Sequence, residues 1–232
     1  MKPEISIIIP ALNEEDSIRE TLDALRVFER AEIILVDGGS TDATRLIAES
    51  CDVKVLHTPR RGRGAQLQFG GNFAKGDILW FLHADTIVSP DAVEQIKKAL
   101  ENPRVAGGNF TIRFDGERLA AKFLTRLYPK LGKIGLIYGD SAIFARRTVY
   151  RKMGGFKAFP IFEDLDFIER LRKTGEIVTL SSVVTTSSRR FENKSFLLTF
   201  LRWTILQVLY WLGVSPDKLL KIYFPAPKQK TE

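Results

Sequence analysis

Two apolar periodicities alternate along the first hundred residues. Ile5–Pro10, Glu32–Asp37 and Asp77–Leu82 are nearly continuous apolar runs, the pattern of strands buried on both faces. Val53–His57 is a shorter run of the same kind. Between them lie helical stretches. One starts near Asn13 to Asp16 and runs to about Phe28, with Ile18, Leu22 and Leu25 spaced i, i+4, i+7. The next is capped by Ser40 or Thr41 and carries Leu46 and Ile47, another covers about Ala65–Ala74, and a fourth is opened by Pro90 and reaches about Leu100. This βαβαβαβ order predicts an α/β fold with a mostly parallel, doubly wound sheet.

The second half is less regular. Gly107–Phe114, Ser141–Ala145 and Glu176–Leu180 read as strands, and Leu119–Leu131 and Phe162–Thr174 as helices. From Ser195 the chain turns strongly apolar and aromatic, then basic. Phe196–Leu212 is too short for a membrane span, which needs about 20 apolar residues. The commoner use of such a segment is to cover a core or a dimer contact. Lys218 and Lys221 beside Trp and Tyr also fit a helix in a membrane interface, with peripheral contact through 195–224.

Composition narrows the partners. The chain has 232 residues and a net charge of +7, which favours anionic ligands: phosphorylated substrates, an anionic membrane surface or nucleic acid. No aromatic–basic RNA-binding motif accompanies the charge, so nucleic acid is not the expected partner. A single cysteine, Cys51, excludes an internal disulfide and fits a reducing compartment. The first apolar stretch is too short for a signal-peptide core, so the expected location is the cytoplasm, on or near the inner face of the cell membrane.

Two aspartates stand where chemistry is expected. Asp37 ends one strand run, and Asp85 follows another after His83-Ala84. Ligands of open α/β sheets bind at the carboxyl ends of strands. Gly38 and Gly39 let the backbone turn sharply after Asp37, but without the G-x-G-x-x-G spacing of dinucleotide folds. Arg60, Arg61 and Arg63 form a basic glycine-containing loop suited to a diphosphate or an acceptor phosphate; a solvated basic loop is the plain alternative. Glu14 and the pair Glu163-Asp164 also have a plain reading, as acids favoured at helix N-termini.

Five segments occur in order: Ser6–Glu15, Val36–Asp42, Phe81–Asp85, Gly139–Phe144 and Phe162–Asp166. Together they resemble the family 2 glycosyltransferases of the GT-A fold, over roughly residues 5–190. The resemblance implies a Rossmann-like GT-A domain over 1–190, its nucleotide-sugar half about 1–104 and its acceptor half about 105–190. Residues 191–232 would add amphipathic helices. It implies donor contacts from Pro10, Leu12, Glu14, Asp37, Gly38, Arg60, Arg63, Ala84 and Asp85. His83-Ala84-Asp85 stands in the place of the family's D-x-D metal motif, so Asp85 and His83 are the expected ligands of Mn²⁺ or Mg²⁺; His83 departs from the pattern, and an imidazole suits Mn²⁺ better. Asp164 is the expected base, with Glu163 beside it. Gly139, Asp140, Arg189 and Arg190 belong to the acceptor side.

The expected activity is inverting transfer from a nucleotide-diphosphate sugar, with a UDP-sugar favoured, to an acceptor that the sequence does not name. A lipid or lipid-linked molecule is among the candidates, and a homodimer is open. The rivals are a sugar-phosphate nucleotidyltransferase and a non-catalytic nucleotide-binding module at the membrane surface.

Overall fold

A computed structural model describes residues 2–60, 62–116, 119–133, 136–187 and 196–223. The strands are β1 (Ile5–Ala11), β2 (Ala31–Asp37), β3 (Lys54–His57), β4 (Ile78–Phe81), β5 (Thr86–Val88), β6 (Val105–Phe114), β7 (Phe144–Arg146) and β8 (Glu176–Thr186). The helices are α1 (Ile18–Leu25), α2 (Thr44–Glu49), α3 (Arg63–Phe73), α4 (Ala92–Glu101), α5 (Leu119–Lys133), α6 (Arg147–Lys152), α7 (Glu163–Arg172), α8 (Phe196–Trp211) and α9 (Pro216–Tyr223).

The strands form one sheet in the order β3-β2-β1-β4-β7-β6-β8-β5. The ladders β1–β2, β1–β4, β2–β3 and β6–β8 are parallel; β7 joins the two halves by pairing antiparallel with β4 and β6. Successive side chains of a strand point to opposite faces, and β1 shows the result. Ile5, Ile7 and Ile9 pack with α1, α4 and α5 on one face; Ile8 packs with α3, α6 and α7 on the other. The sheet is thus sandwiched by helices, as the alternating pattern predicts. A third apolar cluster joins Ile161, Phe162 and Leu165 at the start of α7 to Leu206 of α8 and Leu219 of α9.

Several boundaries differ from the sequence reading. Arg63 and Gly64 are not loop residues; they open α3. α2 begins at Thr44, so neither Ser40 nor Thr41 caps it; the Asp42 carboxylate accepts from the Thr44 N–H instead, at 3.0 Å. Pro90 lies ahead of α4 rather than in its first turn. Gly139–Ser141 is a 3₁₀ turn, and the strand after it starts only at Phe144. The last strand runs on to Thr186, and its end pairs with β5, which no apolar run announced.

Candidate active site

At the carboxyl ends of β1 and β2 two loops are laced together. Asn13 takes a left-handed conformation (φ 55°), and its side-chain oxygen accepts from the Thr41 N–H at 2.9 Å. Its own N–H donates to Ser40 Oγ at 3.0 Å, and the Glu14 N–H donates to Thr44 Oγ1 at 2.7 Å. Asp37, the last residue of β2, is buried. Its carboxylate accepts from the N–H groups of Gly39 (3.1 Å) and Ser40 (3.0 Å) and faces His57 Nδ1 at 3.3 Å. Burial opposes its ionisation, but the hydrogen bonds from Ser40, His57 and Gly39 outweigh it and hold the carboxyl below the usual aspartate range. Leu12 is exposed beside this loop, and Pro10 is half-buried. Arg60 is exposed in the loop after β3.

Gln66 binds these strand ends from beneath. Its side-chain amide donates to Ala11 O and Val36 O, both at 2.8 Å. A Cβ on Gly38 would stand 2.9 Å from that amide, so Gly38 is small because Gln66 is there. Sequence reasoning missed Gln66, Asn13 and His57. The signal for Gln66 was an amide between Ala65 and Leu67, on the face of a helix that packs against strands.

One turn earlier on α3 stands Arg63, on the same helical face as Gln66. Its Nη1 lies 2.9 Å from His83 Nε2, its Nε donates to Glu163 Oε1, and its Nη2 donates to Asp164 Oδ2 at 3.2 Å. A guanidinium can only donate, so His83 Nε2 is the acceptor. The approach requires Gly64: a Cβ there would meet the Lys157 carbonyl oxygen at 2.5 Å. Burial works against the charge on Arg63, but Glu163, Asp164 and Asp140 around it hold the guanidinium protonated well above its ordinary range. Burial also pushes the Glu163 carboxyl up, against the pull of Arg63.

Glu163 and Asp164 begin α7, where the helix dipole favours acids. Both are buried. The Gly139 N–H donates to Asp164 Oδ2 at 2.7 Å, so the 3₁₀ turn holding Gly139 and Asp140 lies against the same carboxylate as Arg63. Asp166 has other work: it pairs with Lys157 at 2.7 Å and with Arg170 at 2.6 Å. Phe162, just before the acidic pair, sits at φ 60°, a strained conformation for a bulky residue. Its ring packs against Trp203 and Tyr210 of α8, with centroids 5.8 and 5.2 Å away. Tyr138 Oη donates to Gln207 Oε1 of the same helix at 2.9 Å.

Ala84 is buried, and its carbonyl accepts from Thr21 Oγ1 at 2.8 Å. Asp85 is half-buried, with Thr186 Oγ1 at 3.5 Å from its Oδ1. Among the described residues no three of His, Cys, Asp and Glu gather as a ready-made metal site. The arrangement brings together Arg63, His83, Gly139, Glu163 and Asp164. Arg61, Arg189 and Arg190 fall outside the described residues.

Residues 6–154 match the family described as glycosyl transferase family 2. An uncharacterized glycosyltransferase of Mycobacterium tuberculosis is 30% identical over 196 residues, covering 78% of this chain and 74% of that protein. The undecaprenyl-phosphate 4-deoxy-4-formamido-L-arabinose transferase of Klebsiella pneumoniae is 26% identical, covering 95% and 71%. Among solved structures, glucosyl-3-phosphoglycerate synthase from Mycobacterium tuberculosis, in complex with Mn²⁺, UDP and phosphoglyceric acid, superposes with a TM-score of 0.57 at 25% identity. That match covers 80% of this chain and 69% of the synthase.

Proposed function

The chain belongs to glycosyl transferase family 2 and is a glycosyltransferase with the GT-A fold; from that premise we propose that it transfers a sugar, with inversion, from a nucleotide-diphosphate donor, and that Asp164 is the base. One observation carries the reading: the Arg63 side chain ties the loop leading to Asp85 to the acidic pair at the head of α7. The residues of the donor-side motif and of the acceptor-side motif thereby meet at one point. The family assignment sets the nucleotidyltransferase and binding-module alternatives aside.

In this reading the donor lies at the carboxyl ends of β1 and β2, beside Pro10, Leu12, Glu14, Asp37 and Gly38, with Arg60 toward the phosphates. The acceptor hydroxyl approaches Asp164 past Gly139 and Asp140. Asp164 takes the hydroxyl proton as the oxygen attacks the anomeric carbon. Gly139 and Arg63 fix the orientation of that carboxylate before the acceptor arrives. A UDP donor is supported by the UDP in the related synthase structure, and a lipid-phosphate acceptor by the activity named for the Klebsiella relative.

A divalent cation fits through Asp85. Mg²⁺ and Mn²⁺ sites commonly take one or two carboxylates plus substrate phosphates and water, so Asp85 with a diphosphate meets that need. When bound, the cation supplies charge stabilisation to the departing diphosphate. His83 does not fit as a ligand through Nε2, since that nitrogen accepts from Arg63; we assign it to holding Arg63 in place. Calorimetric titration with UDP and with GDP, each with Mn²⁺ and then with chelator, tests the donor assignment. Metal-dependent binding of UDP is expected. Affinity indifferent to chelator would remove the cation from the reading, and absence of binding by either nucleotide would remove the donor class.

A further inference from the structure

The two faces of α8 have different surroundings. The inner face, through Trp203, Leu206 and Tyr210, packs on Phe162 and its neighbours at the head of α7. The outer face carries Leu198, Leu201, Ile205 and Val208 at spacings of three and four, and Leu212, just past the end of the helix, continues the stripe; each is 46–75% exposed. Trp211 is exposed beside it. An apolar stripe of this extent marks an interaction surface rather than scattered exposure.

The charges around the stripe are mainly basic, with Asp217 in the first turn of α9 the exception. α5 and α8 contain no acidic residue. On α5, Lys122, Arg126 and Lys130 stand exposed at i, i+4 and i+8, one helical face. The ring of Phe123, next to Lys122, meets Phe200 of α8 edge-on at 6.3 Å, so the basic row and the apolar stripe belong to adjoining helices. On α9, Lys218 and Lys221 are exposed. Among the described residues no helix is long and apolar enough to cross a membrane. A helix of this kind, apolar outward and bordered by cations, suits the plane of an anionic lipid surface.

We propose that α8, with the basic rows of α5 and α9, docks this protein on an anionic membrane surface and that the sugar acceptor is presented from that surface. The acceptor half of this inference rests on the transferase reading; the docking half does not. The same helix that meets the lipid also carries the wall behind Glu163 and Asp164, so docking sets the candidate base at the membrane boundary. A cavity of about 600 Å³ opens beside Trp211 and reaches Leu165, next in sequence to Asp164. Its lining combines Phe159, Tyr210 and Pro216 with Lys157, Asp166, Glu169 and Arg172, a wall part apolar and part charged in both signs.

The test is co-sedimentation of the full chain with phosphatidylcholine vesicles, with and without about one-third phosphatidylglycerol. Two double variants accompany it, Leu201→Glu with Val208→Glu, and Lys122→Glu with Arg126→Glu; all four positions are surface positions. Binding to the anionic vesicles is expected, weakening by roughly tenfold or more on neutral vesicles, in high salt and in each double variant. Equal binding to both vesicle types, or none, overturns the proposal. So does a dimer, seen by light scattering, that the Leu201/Val208 variant converts to monomer, since a second copy would then cover the stripe. UDP binding by calorimetry is read in parallel. Its loss in the wild type would count against the transferase reading and leave the vesicle result standing.

Discussion

Arg63 and His83 share a 2.9 Å contact between Nη1 and Nε2, and through it the chain resolves its own departure from a two-carboxylate metal motif. The histidine accepts from the guanidinium that also neutralises Glu163 and pairs with Asp164. An aspartate at position 83 would compete for the same arginine; a neutral acceptor leaves most of the arginine's charge to Glu163 and Asp164.

Arg63→Met therefore leaves two buried carboxylates at the head of α7 without their cation. Removing one partner of a buried pair costs about 3–5 kcal/mol, and the partial exposure of Arg63 sets the expected loss near the lower end, about 3 kcal/mol by urea denaturation. Adding Glu163→Gln should recover part of it, because the two sites are coupled. A strictly additive double variant would show that the pair contributes nothing.

His83 and Asp85 separate in metal binding. Asp85→Ala should abolish the Mn²⁺ dependence of UDP affinity. His83→Ala should leave that dependence within about twofold of wild type while lowering stability by about 1 kcal/mol through the lost hydrogen bond. A His83→Ala protein that no longer responds to Mn²⁺ returns the imidazole to the metal.

For Asp164→Asn, UDP affinity should be unchanged and kcat should fall by about 10²–10⁴, the usual contribution of a positioned base. The asparagine oxygen can still accept from Gly139, while its amide nitrogen replaces the oxygen that accepts from the Leu165 N–H, so a thermal melt is read alongside kcat. Transfer at the wild-type rate would place the base elsewhere.

Asp37 gives a pH signature. Its folded carboxyl lies below the unfolded value, about 3.9, so its contribution is complete above that pH and is lost as pH falls through the lower folded value. Asp37→Asn should lose about 1–3 kcal/mol at pH 7 and melt with a flatter dependence on pH below 4. Parallel thermal melts at pH 7 and pH 3 check both.

What was legible in the sequence was what short-range pattern records. β1, β2 and β4 are apolar runs buried on both faces, so they announced themselves, and motif order carried the family. β5 has three residues and was invisible at that length. The end of β8, Ser181–Thr186, reads Ser-Ser-Val-Val-Thr-Thr, with no period-two alternation to mark a strand until β5 and β6 pair with it. With Gly62 and Gly64 on either side, Arg63 reads as a loop residue. Gly62 does lie at φ 106° and precedes the helix, but Gly64 is there for the backbone of Lys157 and Phe159, nearly a hundred positions away. Partners at that separation leave no local trace, which is why Gln66 and the Arg63–His83–Glu163 cluster emerged only in three dimensions.

The β4–β7 ladder has a mechanical meaning. β4 pairs with β1 on one side and β7 on the other, so the strands behind Asp37, Asp85 and the Gly139–Ser141 turn are one bonded plate. Two lobes joined by a hinge can clamp a substrate by rotating; a plate cannot fold along a line crossed by backbone ladders. Any closing movement over the strand ends then falls to loops and side chains above the plate. The spacing between the carboxyl ends of β1, β2 and β4 is set when the sheet forms.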